Sequence, residues 1–263
     1  MLTNFWLGIA QTAIGSALGF GFGIGAFHYQ QRKQATKKEK DEWKAAIGAL
    51  NRLSTAAGAN IEALANTKLQ FINDMKPEVE KMKAAVVATY DTPPANRAIK
   101  NSDLKSLSES MLHFYMSLPR ISVMPPPNFG EYSLLSKDMP ALMIFVHRAT
   151  GMMDQLNELI NARNLLIADH AREGGTGAGL TAERLLFFSS MLAGNGEGIY
   201  MHVDDALDFW RLVLDQVKAF MTAKAGSEYF LEYRLVQKAV DAMPKDELFP
   251  LMRSQLTTFE SRP

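Results

Sequence analysis

The sequence predicts an all-α chain: one N-terminal transmembrane helix followed by a soluble multi-helix bundle. Three observations carry that expectation. Residues 1–31 contain no Asp, Glu, Lys or Arg. Beyond them, apolar side chains recur at spacings of three and four, the period of a helix face. Nowhere does the chain show the period-two alternation of a half-buried strand. The expected division is an anchor over 1–30, a basic juxtamembrane stretch with a long amphipathic helix over 31–100, and a helical body over 101–263 that packs with 40–100 as one domain.

The first element is justified by length. Phe5 to Phe27 is interrupted only by the polar residues Gln11, Thr12 and Ser16. At 1.5 Å per residue this run is about 35 Å long, enough to cross a hydrocarbon core of about 30 Å. Trp6, His28 and Tyr29 suit the two interfaces, where amphipathic rings settle. A cleavable signal peptide needs a basic n-region and a shorter apolar stretch, and the run has neither. Arg32, Lys33, Lys37, Lys38 and Lys40 follow within nine residues. The positive-inside rule places them, and the body behind them, in the cytoplasm, with the N-terminus outside, as in a bacterial inner membrane. The same side chains can attract anionic lipid head groups.

The span carries a packing pattern. Gly15, Gly19 and Gly23 recur every four residues, and Ala17, Gly21 and Gly25 form a second row. Each row lies on one helix face, where missing side chains admit a second helix closely. The expected partners are therefore membrane lipids and a second copy of the chain, or another membrane protein, docked on these glycine rows.

Next, Trp43, Ile47, Leu50, Ala57, Ile61, Leu64 and Phe71 share a heptad seam with the polar Ser54 and Lys68. The seam suits a coiled coil, but it is rich in alanine, which favours packing on the chain's own helices. Pro77 is expected to kink or interrupt this helix, because proline lacks a donor and clashes with the preceding turn. Val79, Met82 and Val86 resume the apolar face with a slipped phase, and Asp91 to Pro94 ends it.

A shorter helix is expected from Ser102 to Leu118. Pro119 to Gly130, with Pro125, Pro126 and Pro127 in a row, reads as an extended, stiff connector. A helix from Met139 to His170 presents Asp154, Asn157, Asn161 and Asn164 on one stripe. Asparagine is a poor helix former, so the stripe suggests a polar groove or a neighbouring element, against a solvated face, which the sequence favours. The glycines at 174, 175, 177 and 179 read as a flexible link; no strand precedes them and no Gly-Lys-Ser/Thr ending follows, so no phosphate loop is met. Gly194, Gly196 and Gly198 read as a second soft joint, so that the apolar helix 185–191 between the two clusters is mobile and offers a docking patch. A strongly periodic helix then starts near Ile199, with Asp204, Asp205 and Asp208 complementing its positive end. Two short helices, 228–242 and 246–258, close the chain.

Composition removes several chemistries. The 263 residues hold 28 basic and 28 acidic side chains and no cysteine. Disulfides, thiolate metal sites and Cys nucleophiles are excluded. No Glu-x-x-His, His-Glu-x-x-His or Gly-x-Ser-x-Gly pattern occurs, so no metal, no cofactor and no catalytic residue is assigned. The neutral total hides an asymmetry: residues 1–100 carry a net of +5 and residues 101–263 a net of −5. An acidic body argues against nucleic acid as partner. The function expected is protein–protein interaction at the membrane, as scaffold or regulatory subunit. The alternatives are a glycine-zipper oligomer that permeabilises the membrane, and an unrecognised enzyme or small-ligand receptor in the helical body.

Overall fold

The structure is a computed structural model that describes residues 2–93, 96, 117–135, 138–172, 182–225, 229–245 and 248–256; of residues 2–19, 21, 134, 182 and 225 it describes the backbone only. Among the described residues every regular element is helical. Helix α1 runs Leu2–Thr67, a π turn follows at Lys68–Ile72, and α2 runs Asn73–Tyr90. Two 3₁₀ turns, Phe129–Glu131 and Ser133–Leu135, lead into α3, Pro140–Arg172. Helix α4, Ala182–Phe220, passes through a π turn at Met221–Ala225. The short α5, Gln237–Ala242, and α6, Pro250–Arg253, close the described chain.

Helix α4 is the centre. From Ala206 to Val213 every residue except Arg211 is buried, and a helix apolar on all sides belongs inside a body rather than at its surface. Trp210 and Phe220 are fully buried on it, beside Phe145 of α3 and Leu50, Leu53 and Ile61 of α1. Helix α4 packs on α3, α2 and α1, and it runs antiparallel to all three. Lys68 and Lys83 pair with Asp204 (2.5 Å) and Glu197 (2.6 Å), and Lys76 lies 5.0 Å over the Tyr200 ring. On the other side, the buried His170 ring stacks on Phe188 at 3.9 Å. The heptad seam of α1 is filled the same way: Ile47, Leu50, Ser54, Ala57, Ile61 and Leu64 are buried within the chain's own bundle.

Pro77 does not end the helix. It stands inside α2, and the irregularity lies one turn earlier, where the Asn73 N–H bonds the Lys68 carbonyl across the π turn. A π turn inserts one residue into the helical register. That insertion explains the slipped phase: the seam's Phe71 is only half-buried, and the buried face continues one residue later with Ile72, Met75, Val79, Met82 and Val86.

The second glycine cluster corrects an expectation. Gly194, Gly196 and Gly198 are not a joint; α4 is continuous through them. Their role is close approach. A Cβ on Gly196 would lie 2.5 Å from Val79 Cγ2 of α2, and one on Gly198 would lie 3.2 Å from Leu159 Cδ1 of α3. The glycines let two neighbours press on α4 at the same level, and the packing holds the helix straight where propensity alone would break it. Hence the segment 185–191 is no separate element. Leu185, Leu186 and Phe188 are buried, while Phe187 and Met191 are exposed.

Asp204, Asp205 and Asp208 consequently stand in the middle of α4 rather than at its start. Asp204 and Asp208 serve ion pairs instead of the helix dipole. Asp208 is 1% exposed and pairs with Arg211 and with Arg253 of α6. Burial, partly offset by His202, pushes the Asp205 carboxyl above its usual range. The closing helices are also shorter than expected: residues 230–236 are extended, and only Gln237–Ala242 and Pro250–Arg253 are helical. Arg253 and the stack of Phe249 on Phe209 at 4.4 Å fasten this end to α4. The expected helix 102–118 and the glycine link 174–179 lie outside the described residues, apart from Ser117 and Leu118, which are not helical.

The close-packing role of the glycines sets two opposite outcomes. Gly194 has nothing within 4 Å of its Cβ position, so Gly194→Ala should stabilise the chain by about 0.5–1 kcal/mol through helix propensity. Gly196→Leu should destabilise it by about 1–3 kcal/mol through overpacking against Val79. Thermal melting followed by circular dichroism checks both, and a fall in melting temperature for Gly194→Ala would restore the joint.

Candidate functional site

The asparagines of α3 turn out to hold a backbone. Residues 117–128 carry no helix, as Pro119 and the triplet Pro125–Pro127 dictate by removing donors and disfavouring the α region before each proline. An extended segment on a helical body has no ladder for its N–H and C=O groups. Side chains supply one. Asn164 accepts from the Leu118 N–H (3.0 Å) and donates to the Leu118 carbonyl (2.8 Å). Asn157 does the same for Ile121, at 2.9 and 3.2 Å. Asn60 of α1 does it for Met124, at 2.7 and 3.0 Å. Each amide offers one donor and one acceptor, which matches the N–H and C=O of a single residue.

The spacings agree physically. The clamped residues are three apart, and three residues of polyproline II rise about 9 Å. Asn157 and Asn164 are seven apart, and two helical turns rise about 10.5 Å. Asn128, at φ −62° and ψ 141°, is in the polyproline-II region where it enters the first 3₁₀ turn. That turn is fixed by a capping box between Asn128 and Glu131, and Glu131 also pairs with Arg52 of α1. The solvated-face reading of the stripe is thereby corrected for two of its members. Asn157 is buried, Asn164 is partly buried, and both are engaged. Asp154 and Asn161 remain exposed and line a polar groove of about 370 Å³ with Arg120 and Glu158.

A second extended segment repeats the device on another face of α1. Asn51 donates to the Tyr229 carbonyl (2.8 Å) and accepts from the Leu231 N–H (3.1 Å). Gly58 is the notch for the Tyr233 ring, which already occupies the place a Cβ would take. Burial, and then a hydrogen bond to Glu62, raise the Tyr233 hydroxyl above its usual pKa. Asn51 and Asn60 were not singled out in sequence. Their signal was the one that marked the α3 stripe: asparagine inside a helix, far from any cap.

Helix α1 then leaves the body. Ala46 is the first buried residue on it, and residues 22–45 are exposed throughout. An apolar recess of about 820 Å³ opens at the exit, lined by Trp43, Ile47, Gly48, Asn51 and Tyr229 among others. Trp43 leans on Phe220 at 6.0 Å and closes the bundle there. Arg32, Lys33, Lys37, Lys38 and Lys40 all face solvent, with Lys38 3.7 Å from Glu42. Gly23 and Gly25 have nothing within 4 Å of their Cβ positions. The remaining glycine-row members, Gly15, Ala17, Gly19 and Gly21, have side-chain positions outside the described residues. Among the described residues no helix is long and apolar enough to cross a membrane, and most of the expected span, 5–27, falls on residues whose side chains are outside that set.

Among the described residues no group of three His, Asp or Glu side chains could hold a metal ion. His202 Nδ1 lies 2.9 Å from the Gly198 carbonyl, and His170 is buried under Phe188. Asn157 is committed to the Ile121 backbone. No family model, no curated protein and no solved structure matches this chain.

The clamp predicts unequal costs along one stripe. Asn157→Leu removes two hydrogen bonds and strands a buried N–H and C=O, and should lower unfolding free energy by about 2–4 kcal/mol. Asn161→Ala should change it by no more than about 0.5 kcal/mol. Urea unfolding separates them, and equal effects would refute the clamp.

Proposed function

We propose that the chain is a single-pass membrane protein, anchored by residues 1–30, whose cytoplasmic helical body works in protein–protein interaction as a scaffold or regulatory subunit. One observation supports this best. Helix α1 projects from the body with residues 22–45 exposed, meeting it only at the base where Trp43 leans on Phe220, and it carries Phe22 (76% exposed), Phe27 and Tyr29 into solvent. These side chains continue into a stretch, 1–31, without a single charge. A helix apolar all round needs lipid or another helix around it.

The basic residues 32–40 then mark the cytoplasmic side and meet the anionic leaflet. From Gln31 to Ala46 the helix rises about 22 Å, so the body stands off from the head groups. The open faces at Gly23 and Gly25 favour self-association along the glycine rows, the basis of the second reading, a membrane oligomer that permeabilises.

The test is fractionation of the full chain expressed in a bacterial host. It should stay in the membrane pellet through alkaline carbonate, and deletion of residues 2–31 should release a folded helical body. Release of the full chain by carbonate would sink the anchor. A reporter fused after Pro263 should be active only in the cytoplasm, and activity outside reverses the topology. Separately, Gly19→Ile should abolish crosslinked oligomers in the membrane; unchanged crosslinking would dismiss the glycine rows as an interface.

A further inference from the structure

The seat of residues 117–128 has properties that exceed those of a loop attachment. We propose that the groove between α1 and α3 is a peptide-binding site, which reads an extended polyproline-II backbone with an apolar residue at every third position, and that residues 117–128 are its resident occupant in cis. The partner it fits is such a segment of another protein.

The bonding itself is the first argument. Six hydrogen bonds of Asn60, Asn157 and Asn164 go to main-chain N–H and C=O groups, and a seventh, longer one is accepted by Asn164 from the Arg163 guanidinium (3.4 Å). Backbone groups are the same in every peptide, so the three amides would meet any chain of that conformation equally. Proline-rich segments are held in grooves on this principle, since polyproline II is preformed and its backbone polar groups are otherwise unsatisfied.

Selectivity comes from the side chains between the clamps. Leu118 and Ile121 are the buried anchors, at 5% and 4% exposure, and Val123 is partly buried. Arg120 lines the polar groove with Asp154 and Glu158. Two acids there favour a basic residue two positions after the first anchor. The preferred ligand is therefore apolar at its first and fourth positions, basic at its third, and followed by prolines.

The occupant touches the body at few points. Most side chains of 117–128 are exposed or half-buried, and only Leu118 and Ile121 reach the core, with Val123 packed against it. A surface segment held by two anchors and a few bonds opens at lower free energy than the core does. Its tether supplies an effective concentration of order millimolar, which a free peptide must overcome.

The experiment uses the full chain with Ile121→Ser, which weakens the cis occupant, and a dye-labelled synthetic peptide of residues 117–128 with the unmodified sequence. Fluorescence anisotropy should show saturable binding at least tenfold tighter than to the unmodified chain. A peptide methylated on the amide nitrogen of Ile121 keeps the side chains but loses the donor to Asn157, and should bind at least tenfold more weakly. Absence of saturable binding to a variant that melts cooperatively, or equal binding of the methylated peptide, would overturn the site. Hydrogen exchange on the unmodified chain decides the matter even if Ile121→Ser does not fold. The amides of Leu118, Ile121 and Met124 should exchange through an opening well below that of Trp210, and exchange only with global unfolding would refute the proposal.

Discussion

Burial of one helix on all sides organises this molecule. From Ala206 to Val213 every residue of α4 except Arg211 is buried, so the helix requires cover from several directions at once. Helices α1 and α2 cover one side and α3 another, all antiparallel to it. The glycines at 196 and 198 bring two of these covers into contact at one level. Acidic residues on α4 are paired, Asp204 with Lys68 and Asp208 both with Arg211 of its own helix and with Arg253 of α6. A lone buried carboxylate would otherwise neutralise itself by shifting its pKa, and the upward shift of the less well paired Asp205 runs in that direction.

Three helices in an up, up, down arrangement leave a topological debt, because α1–α2 and α3 point the same way and the chain must return between them. The described part of that return, residues 117–128, carries no helix and is held by side chains of α1 and α3. Extended backbone on a helical body has no strand to pair with, and four asparagines resolve this with one chemical device, an amide that matches the N–H and C=O of extended backbone. Asn51, Asn60, Asn157 and Asn164 thus account for two segments that lack secondary structure of their own. Their poor helix propensity is the cost at which each was placed.

Charge and shape together give the chain a polarity. The end of the uncharged stretch, residues 22–31, and the basic residues after it lie on the exposed part of α1. The acidic excess lies in residues 101–263, behind the point where α1 becomes buried. The proposed membrane role and the proposed peptide groove occupy different parts of this axis. One concerns residues 1–45, the other the side of the body where 117–128 is seated.

Much of the architecture was legible locally. The 3–4 periodicity placed α3 to within a few residues and the end of α2 at Asp91, the apolar slip near Pro77 foretold a register change although Pro77 is not its seat, and prolines 119 and 125–127 foretold a connector without helix. These are properties of short windows, governed by side-chain period and by the missing proline donor, and the sequence alone determines them. The glycines at 194–198 were misread because propensity describes an isolated helix, whereas the contacts of Val79 and Leu159 override it. The aspartates at 204–208 were misassigned for the same reason, since the helix start was placed at the wrong glycine. The asparagine stripe was visible as an anomaly, but its partners lie 36 and 46 residues away in the chain, and Asn60 is 64 from its own. Only the tertiary structure decides which backbone an amide meets, because that depends on where the folded helices bring the returning segment.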